Sequence, residues 1–171
     1  PPRSLLGFHS VDLHDGFLPY RNTHTAACQW MGRIDDYLPY LQSVVGADAS
    51  INDLGLGCNS WVARPWAGPE RAHPTNWVVS RAADFLRRRD PTRPFFLWAS
   101  FVAPHPPLMP PAPYFEQYLS RRLRPPALGS WAQKPDRAQN TTDGFTAVLS
   151  ERQIHAMQAG YYGLITHLDH Q

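Results

Sequence analysis

A short apolar run between two prolines limits the folds open to this chain more than any other segment. Residues 95–102 read Phe-Phe-Leu-Trp-Ala-Ser-Phe-Val, and Pro94 and Pro104 flank them. A run of this length, rich in aromatic residues, is typical of a strand covered on both faces, as parallel strands in α/β proteins are. We therefore predict a buried strand at 95–102.

Two longer segments have apolar residues at helical spacing. The sequence His73-Pro74-Thr75-Asn76 supplies capping residues and a proline, and the apolar residues after it predict a helix at 75–89. Ser150 and Gln153 have the spacing of a capping box, which predicts that another helix begins at 151 and continues to about 169. Two amphipathic helices beside a buried strand favour an α/β fold.

The remaining segments are rich in turn-forming residues. Proline accounts for 18 of the 171 residues, roughly twice the average share of about 5%. Residues 1–30 and 103–145 have little helical period, and residues 46–72 are predicted to form a long irregular surface segment. Shorter helices are predicted within 31–45, where Pro39 would cause a kink, and within 114–120.

Charge and hydropathy exclude some classes of partner. The chain carries 16 basic and 14 acidic residues, a formal net charge of +2, which is too balanced to predict a nucleic-acid or acidic membrane partner. Arg87-Arg88-Arg89 end the predicted helix, where cations suit the helix dipole; the alternative for this triplet is a nucleic-acid patch. No apolar run approaches about 18 residues, so no membrane span is predicted.

Neither cysteine lies in a motif that would activate it as a nucleophile. Cys28 and Cys58 form no C-x-x-C pair, and a buried apolar role is favoured for each; whether they pair with each other stays open. The sequence also contains no G-x-S-x-G turn and no glycine-rich phosphate loop.

Two groups of residues could in principle bind a metal ion. Four potential ligands fall within seven residues: His9, Asp12, His14 and Asp15. Their spacing fits known ligand patterns only loosely, so a polar loop is favoured. The last predicted helix carries His155, His167 and Asp169. His155 and His167 are too far apart to share a turn, which favours positions on the surface or in the core with hydrogen-bond partners.

The best candidate for a functional residue is His105, in Ala103-Pro104-His105-Pro106-Pro107 directly after the predicted strand. Ligands of open α/β sheets bind just beyond the carboxyl ends of strands. The flanking prolines restrict the backbone, so the imidazole would be held with little freedom. A histidine there can donate a hydrogen bond to an anionic oxygen or transfer a proton near neutral pH. The alternative is a rigid loop histidine without a catalytic role.

Three consecutive segments resemble the middle of the sulfatase family. They are the predicted helix with Trp77 and Phe85, the run from Arg93 to Phe101, and the loop 103–107. The closing segment 161–171 resembles the family's next helix, and His14-Asp15-Gly16-Phe17 is a looser match. The resemblance implies an alkaline-phosphatase-like α/β sandwich with a mostly parallel central sheet and flanking helices. Residues 1–171 would be an internal part of one sulfatase catalytic domain, loop-rich over 1–72 and helix–strand–loop–helix over 73–171.

The resemblance also implies a mechanism, hydrolysis of sulfuric esters on sulfated small molecules or carbohydrates. Family members use a hydrated formylglycine that attacks sulfur, and a divalent cation, usually calcium, with basic side chains around the sulfate. By motif match, His105 is the histidine that contacts the sulfate ester, which makes it both the catalytic and the substrate-binding candidate.

Several family motifs are missing from this chain, namely C-x-P-S-R or S-x-P-S-R, G-K-x-H and an Asp-Asp pair on an N-terminal first strand. Lys134 fits neither family motif. We therefore expect other segments of a longer sulfatase to supply the nucleophile and the metal, this chain to provide no metal ligand, and the 171 residues alone to be inactive.

Two other functions stay open on the sequence. One is a phosphonate or phosphate monoester hydrolase of the same superfamily, and the other is a non-catalytic binding domain that has lost its nucleophile. Three tryptophans, Trp61, Trp66 and Trp77, could stack on a sugar or an aryl group, although core packing is favoured. The sequence assigns no compartment and no oligomeric state.

Overall fold

The computed structural model of this chain describes Leu5 and residues 7–14, 35–51, 55–132 and 147–171. The chain divides into two compact units, residues 1–53 with 68–102, and residues 54–67 with 103–171. The first unit contains helices α1, Tyr37–Val45, and α2, Pro74–Arg88, with a 3₁₀ turn at Glu70–Ala72 before α2. The second unit contains helices α3, Ala112–Leu119, and α4, Glu151–Asp169. Within the described residues, every helix is too short or too polar to cross a membrane.

The predicted starts of the two long helices are confirmed. At α2, Nδ1 of His73 accepts a hydrogen bond from the backbone N–H of Thr75 at 3.2 Å, and Pro74 occupies the first helical position. At α4, the Ser150 hydroxyl accepts from the N–H of Gln153, whose side-chain oxygen accepts from the N–H of Ser150 at 2.8 Å. Both arrangements satisfy N–H groups that have no partner inside the helix.

Helix α1 begins later than the apolar spacing suggested, and residues 31–34 lie outside the described part. Carboxylate oxygens of Asp35 accept hydrogen bonds from the N–H groups of Tyr37 and Leu38 at 3.3 and 3.0 Å, which fixes the start of α1. Pro39 is the third residue of α1. Its missing N–H costs little there, because the first-turn N–H groups have no intrahelical acceptor, and the helix continues past it.

The core of the first unit is built around Tyr37, which is completely buried. Its ring packs edge-on against Trp77 at 5.6 Å between centroids and lies 4.5 Å from the ring of His14. Its hydroxyl donates to the backbone oxygen of Ala72 at 2.7 Å, which ties α1 to the turn before α2. Trp77 is only 4% exposed, so the core role favoured for it is confirmed.

Residues 95–102, the predicted strand, form no strand in the described part of the chain. The aromatic side chains are exposed, Phe96 by 71% and Trp98 by 72%, although Phe95 packs on Phe85 at 5.8 Å and Phe96 lies 6.0 Å from Phe8. A strand requires a neighbour whose N–H and C=O groups complete its ladder, and the described residues of this unit provide none. The buried strand and the α/β sandwich therefore remain predictions.

The second unit is held together by the packing of α3 on α4. The hydroxyls of Tyr118 and Thr166 share a hydrogen bond of 2.7 Å, and the ring of Tyr114 lies 5.0 Å from that of the fully buried His167. The α3 helix matches the prediction at 114–120, with its start two residues earlier.

Residues 46–51 and 55–69 are irregular, as predicted, but the segment 46–72 is not exposed throughout its described residues. Ile51, Leu56, Ser60 and Ala72 are each at most 5% exposed. Ala63 forms an isolated parallel bridge with Leu108. This burial could not be predicted from the sequence, because irregular backbone buries side chains at no fixed spacing and so produces no apolar periodicity.

Gly160 of α4 is required by close packing within the second unit. A Cβ atom at this position would lie 2.5 Å from Cβ of Ala63 and 3.2 Å from Cβ of Leu108. Glycine inside a helix normally costs about 1 kcal/mol relative to alanine, but overpacking costs about 1–3 kcal/mol. We expect Gly160→Ala to lower the free energy of unfolding measured in urea, and Ala63→Gly added to it to restore much of the loss. A more stable Gly160→Ala variant would contradict this packing.

Candidate active site

The candidate catalytic residue, His105, is exposed on the loop between the first unit's last residues and the buried segment 107–111. Its Nδ1 lies 2.6 Å from the backbone oxygen of Pro106. A carbonyl oxygen only accepts hydrogen bonds, so Nδ1 carries the proton and donates it. This contact fixes the ring tautomer and leaves Nε2 as the end that can accept or donate a proton toward a ligand.

The loop is anchored immediately after His105. Leu108 and Met109 are 3% and 2% exposed, and Pro110 is fully buried. The oxygen of Leu108 accepts from the N–H of Arg64 at 3.0 Å, and the oxygen of Pro110 accepts from the N–H of Trp66 at 2.9 Å. These bonds repeat along the segment as they would in a parallel ladder, so residues 63–66 hold one side of the loop's base.

Helix α4 holds the other side of the base through a second glycine. A Cβ atom at Gly163 would lie 3.0 Å from Cγ of Pro110, which is tighter than ordinary van der Waals contact. The bonds Ala103–Pro104 and Pro106–Pro107 on either side of His105 are cis. His105 therefore stands on a short loop whose base is packed and hydrogen-bonded on two sides, an arrangement suited to positioning a single side chain.

Two members of the His9–Asp15 group, Asp12 and His14, interact with other side chains. Asp12 pairs with Arg81, with Nε of Arg81 3.2 Å from Oδ2. His14 is almost fully buried and its Nδ1 lies 3.9 Å from Oδ1 of Asp35. Asp15 lies outside the described residues. Among the residues that the structure describes, no three His, Cys, Asp or Glu side chains are grouped so that they could hold a metal ion.

The other candidates from the sequence are dispersed. Nε2 of His155 lies 2.8 Å from the backbone oxygen of Arg121, and His167 is in the α3–α4 core. Asp169 is exposed at the end of α4, and Cys58 is a free, partly buried thiol. Cys28 and Lys134 lie outside the described residues.

The cluster of His14, Asp35 and Tyr37 was not predicted from the sequence. Burial raises the pKa of Tyr37 well above its ordinary value, and the carboxylate of Asp35 and the neighbouring Tyr40 raise it further. Asp35 has the sequence signal of a helix-capping aspartate just before an apolar helical pattern. Its contact with His14, across 21 residues, had no comparable signal.

Comparison with known proteins identifies relatives of this chain. No protein-family profile matches it. An arylsulfatase from Clostridium perfringens is 46% identical to it over 174 residues, which cover 100% of this chain and 36% of that protein. The multifunctional alkaline phosphatase superfamily protein PehA from Trinickia caryophylli is 30% identical over 125 residues, 62% of this chain and 24% of that protein. Arylsulfatase J from Mus musculus is 36% identical over 55 residues, 32% of this chain and 9% of that protein.

The chain thus spans about a third of the length of the bacterial arylsulfatase and a smaller share of the other two relatives. The resemblance noted in the sequence over residues 73–171 extends, in the first of these relatives, along the whole chain. The chain belongs to the sulfatase family.

Proposed function

We propose that the protein that carries this chain is a sulfuric-ester hydrolase that acts on sulfated small molecules or carbohydrates, with His105 as a residue that contacts the sulfate ester. The similarity of the whole chain to an arylsulfatase supports the reaction class. The observation that carries the residue assignment is the contact of Nδ1 with the oxygen of Pro106, which orients an exposed imidazole on an anchored loop.

The proposed chemistry of His105 follows from its fixed tautomer. With Nδ1–H held by Pro106, protonation at Nε2 turns the outer end of the ring into a charged hydrogen-bond donor. Such a donor stabilises negative charge that develops on a sulfate oxygen or on the leaving oxygen during hydrolysis. The same nitrogen can return the proton when the leaving group departs as an alcohol or phenol.

The family also implies a formylglycine nucleophile and a divalent cation, calcium. The chain contains no C-x-P-S-R motif, and its described residues contain no group of three ligands for a cation. The residues present therefore do not fit either group, and we assign neither to a side chain of this chain.

A direct consequence concerns calcium binding by the 171-residue chain. We expect calorimetric titration with calcium to show no stoichiometric site, because Asp12 is paired with Arg81 and His14 is buried beside Asp35. A site with a dissociation constant below about a micromolar, or roughly −8 kcal/mol, would contradict this expectation and would return the His9–Asp15 group to consideration.

The proposed function is tested by the substrate preference of the complete protein. We expect 4-nitrophenyl sulfate to be hydrolysed with a higher kcat/KM than 4-nitrophenyl phosphate or a phosphonate monoester. The second candidate, a phosphate or phosphonate monoester hydrolase, is favoured by one finding, the similarity to a multifunctional alkaline phosphatase superfamily protein. A reversed order of kcat/KM would select that candidate.

The binding-domain alternative makes a different prediction for the same assay. If the complete protein binds aryl sulfates but hydrolyses none of the three esters, it is a non-catalytic member of the family. The 171-residue chain by itself, which contains no nucleophile motif, is expected to hydrolyse none of them in either case.

A further inference from the structure

A cavity of about 320 Å³ that is open to solvent lies on the surface of the first unit, beside the last turns of α2. It is lined by Ser10, Asp12, Arg81, Phe85, Arg88 and Arg89. The lining thus combines three arginines and one aspartate with a serine and a phenylalanine. Pockets for small molecules start at about 300 Å³, so the cavity is large enough for an organic ligand.

The arginines at this end of the unit differ in whether a carboxylate neutralises them. Arg87 pairs with Asp84 at 2.9 Å, and Arg93 pairs with Asp90 at 3.3 Å. Both are outside the cavity lining. No carboxylate of the described residues forms an ion pair with Arg88 or Arg89. Of the three arginines that line the cavity, Arg88 and Arg89 are therefore the two that pair with no carboxylate of the described residues.

Arg89 is held in place by a contact with an aromatic ring and by a long hydrogen bond of 3.5 Å from Nη1 to the backbone oxygen of Asp90. Its guanidinium carbon lies 4.6 Å from the ring centroid of Phe95, within the range of a cation–π contact. Its Nε–H is buried and has no hydrogen-bond partner within the described structure. A buried donor without an acceptor costs free energy, and the terminal nitrogens of the same guanidinium are the atoms that an anionic oxygen in the cavity can approach.

Arg88 is also oriented by the helix. Its Nε donates to the backbone oxygen of Asp84 at 3.2 Å, which offsets part of the negative end of the α2 dipole. The terminal nitrogens of the same guanidinium remain available as donors, and a guanidinium presents them in the fork geometry that matches oxyanions.

The opposite wall is fixed by an ion pair across 69 residues of sequence. Nε and Nη2 of Arg81 lie 3.2 and 3.4 Å from the two carboxylate oxygens of Asp12. This pair holds the segment that carries Ser10 beside α2, so that Ser10 lines the same cavity as Arg88 and Arg89. Arg81 therefore positions the wall, because its charge is already paired.

We propose that this cavity is a binding site for a small aromatic oxyanion. Arg88 and Arg89 bind the oxyanion, Ser10 donates a further hydrogen bond to it, and the ring of Phe85 contacts the aromatic part of the ligand. This inference does not depend on the proposed hydrolase activity, since it concerns equilibrium binding and involves no residue of the His105 loop.

The test is a calorimetric titration of the full chain with phenylphosphonate, which carries a tetrahedral oxyanion on a ring and is not an ester. We expect saturable binding, at least tenfold weaker in Arg88→Gln and in Arg89→Gln. Arg87→Gln is the matched control, because it removes the same charge from the same triplet outside the cavity, and it should change affinity by less than twofold. His105→Ala should leave the affinity unchanged. Arg88 is exposed, so its replacement does not threaten the fold.

Several results would overturn the proposal. Absence of saturable binding by the unaltered chain is the simplest. An equal loss in Arg87→Gln and Arg88→Gln would show diffuse attraction to a basic surface, and a loss in His105→Ala would place the probe at the other loop. Inorganic phosphate binding as tightly as phenylphosphonate would show that the ring makes no contact and that the site takes no aromatic ligand.

Discussion

Replacing His105 by alanine in the complete, active protein is expected to lower kcat for an aryl sulfate by about 100- to 1000-fold. Removing one preorganised donor to a developing oxyanion raises the barrier by about 3–4 kcal/mol. The fixed tautomer and the anchored loop base are the physical reasons to expect preorganisation here. The free energy of unfolding should change little, because the side chain is exposed.

Two conservative variants distinguish the roles of the two ring nitrogens of His105. The amide nitrogen of asparagine falls near the place of Nδ1, so His105→Asn keeps the contact with Pro106 and is expected to be as impaired as His105→Ala. The amide of glutamine reaches nearer to Nε2, so His105→Gln is expected to retain more of kcat. The order of these two variants tests whether Nε2 is the working atom.

The control is another exposed histidine, His9, whose replacement by alanine is expected to leave kcat within about twofold. His14 is unsuitable for this purpose, because it is buried against Tyr37 and its replacement would disturb the core. If His105→Ala kept more than about a third of the original kcat/KM, His105 would be only a rigid loop residue. The functional proposal would then rest on family membership alone.

The largest effect on stability is expected at Tyr37, where replacement by alanine should lower the free energy of unfolding by about 3–5 kcal/mol. Removing a large buried ring from a core leaves a cavity and costs this much. Tyr37 is completely buried between His14 and Trp77. Urea denaturation of the full chain, followed by far-ultraviolet circular dichroism, measures the change.

The contribution of the Tyr37 hydroxyl to the free energy of unfolding can be measured with a matched pair of variants on the same helix. Tyr37→Phe removes a buried hydrogen bond to Ala72 and is expected to cost about 1–2 kcal/mol, because the carbonyl left behind has no water to replace the donor. Tyr40 donates to the adjacent carbonyl of Arg71 at 2.9 Å in an exposed setting. Tyr40→Phe should therefore cost less than about 0.5 kcal/mol, and equal losses in the two variants would contradict the burial argument.

The raised pKa of Tyr37 also predicts how stability depends on alkaline pH. The folded state keeps the phenol protonated above its ordinary pKa of 10.0, whereas the unfolded chain releases the proton near that value. The unfolded state then binds fewer protons, so stability is complete below about pH 10 and falls as the pH rises beyond it. The fall should be shallower in Tyr37→Phe, and identical profiles would contradict the assignment.

The helices could be predicted from the sequence because local interactions determine them. The cap at His73, the capping box of Ser150 and Gln153 and the apolar spacing after each involve residues within a few positions of one another. A helix satisfies its backbone within one segment, so its signal is complete in that segment. The candidate His105 could be identified from the sequence for a similar reason, because the proline loop and the apolar run before it are contiguous in the chain.

A strand is different, because its hydrogen bonds go to another part of the chain. The apolar run 95–102 has the composition that is typical of a buried strand. Composition does not show which other segment would form hydrogen bonds with it, and a strand requires such a neighbour. The same limit applies to the Asp12–Arg81 pair and to the close approach of Gly160 to Ala63, which join residues 69 and 97 positions apart.

The sequence by itself therefore determined the helices, the candidate histidine and the family of this protein, since each depends on residues that are neighbours in the chain. Only the tertiary structure decided which arginines pair with a carboxylate, which aspartate lies beside His14, and which carbonyl accepts a hydrogen bond from Nδ1 of His105. Charge pairing, burial and hydrogen-bond geometry depend on distances between atoms in space, and these distances are set by packing.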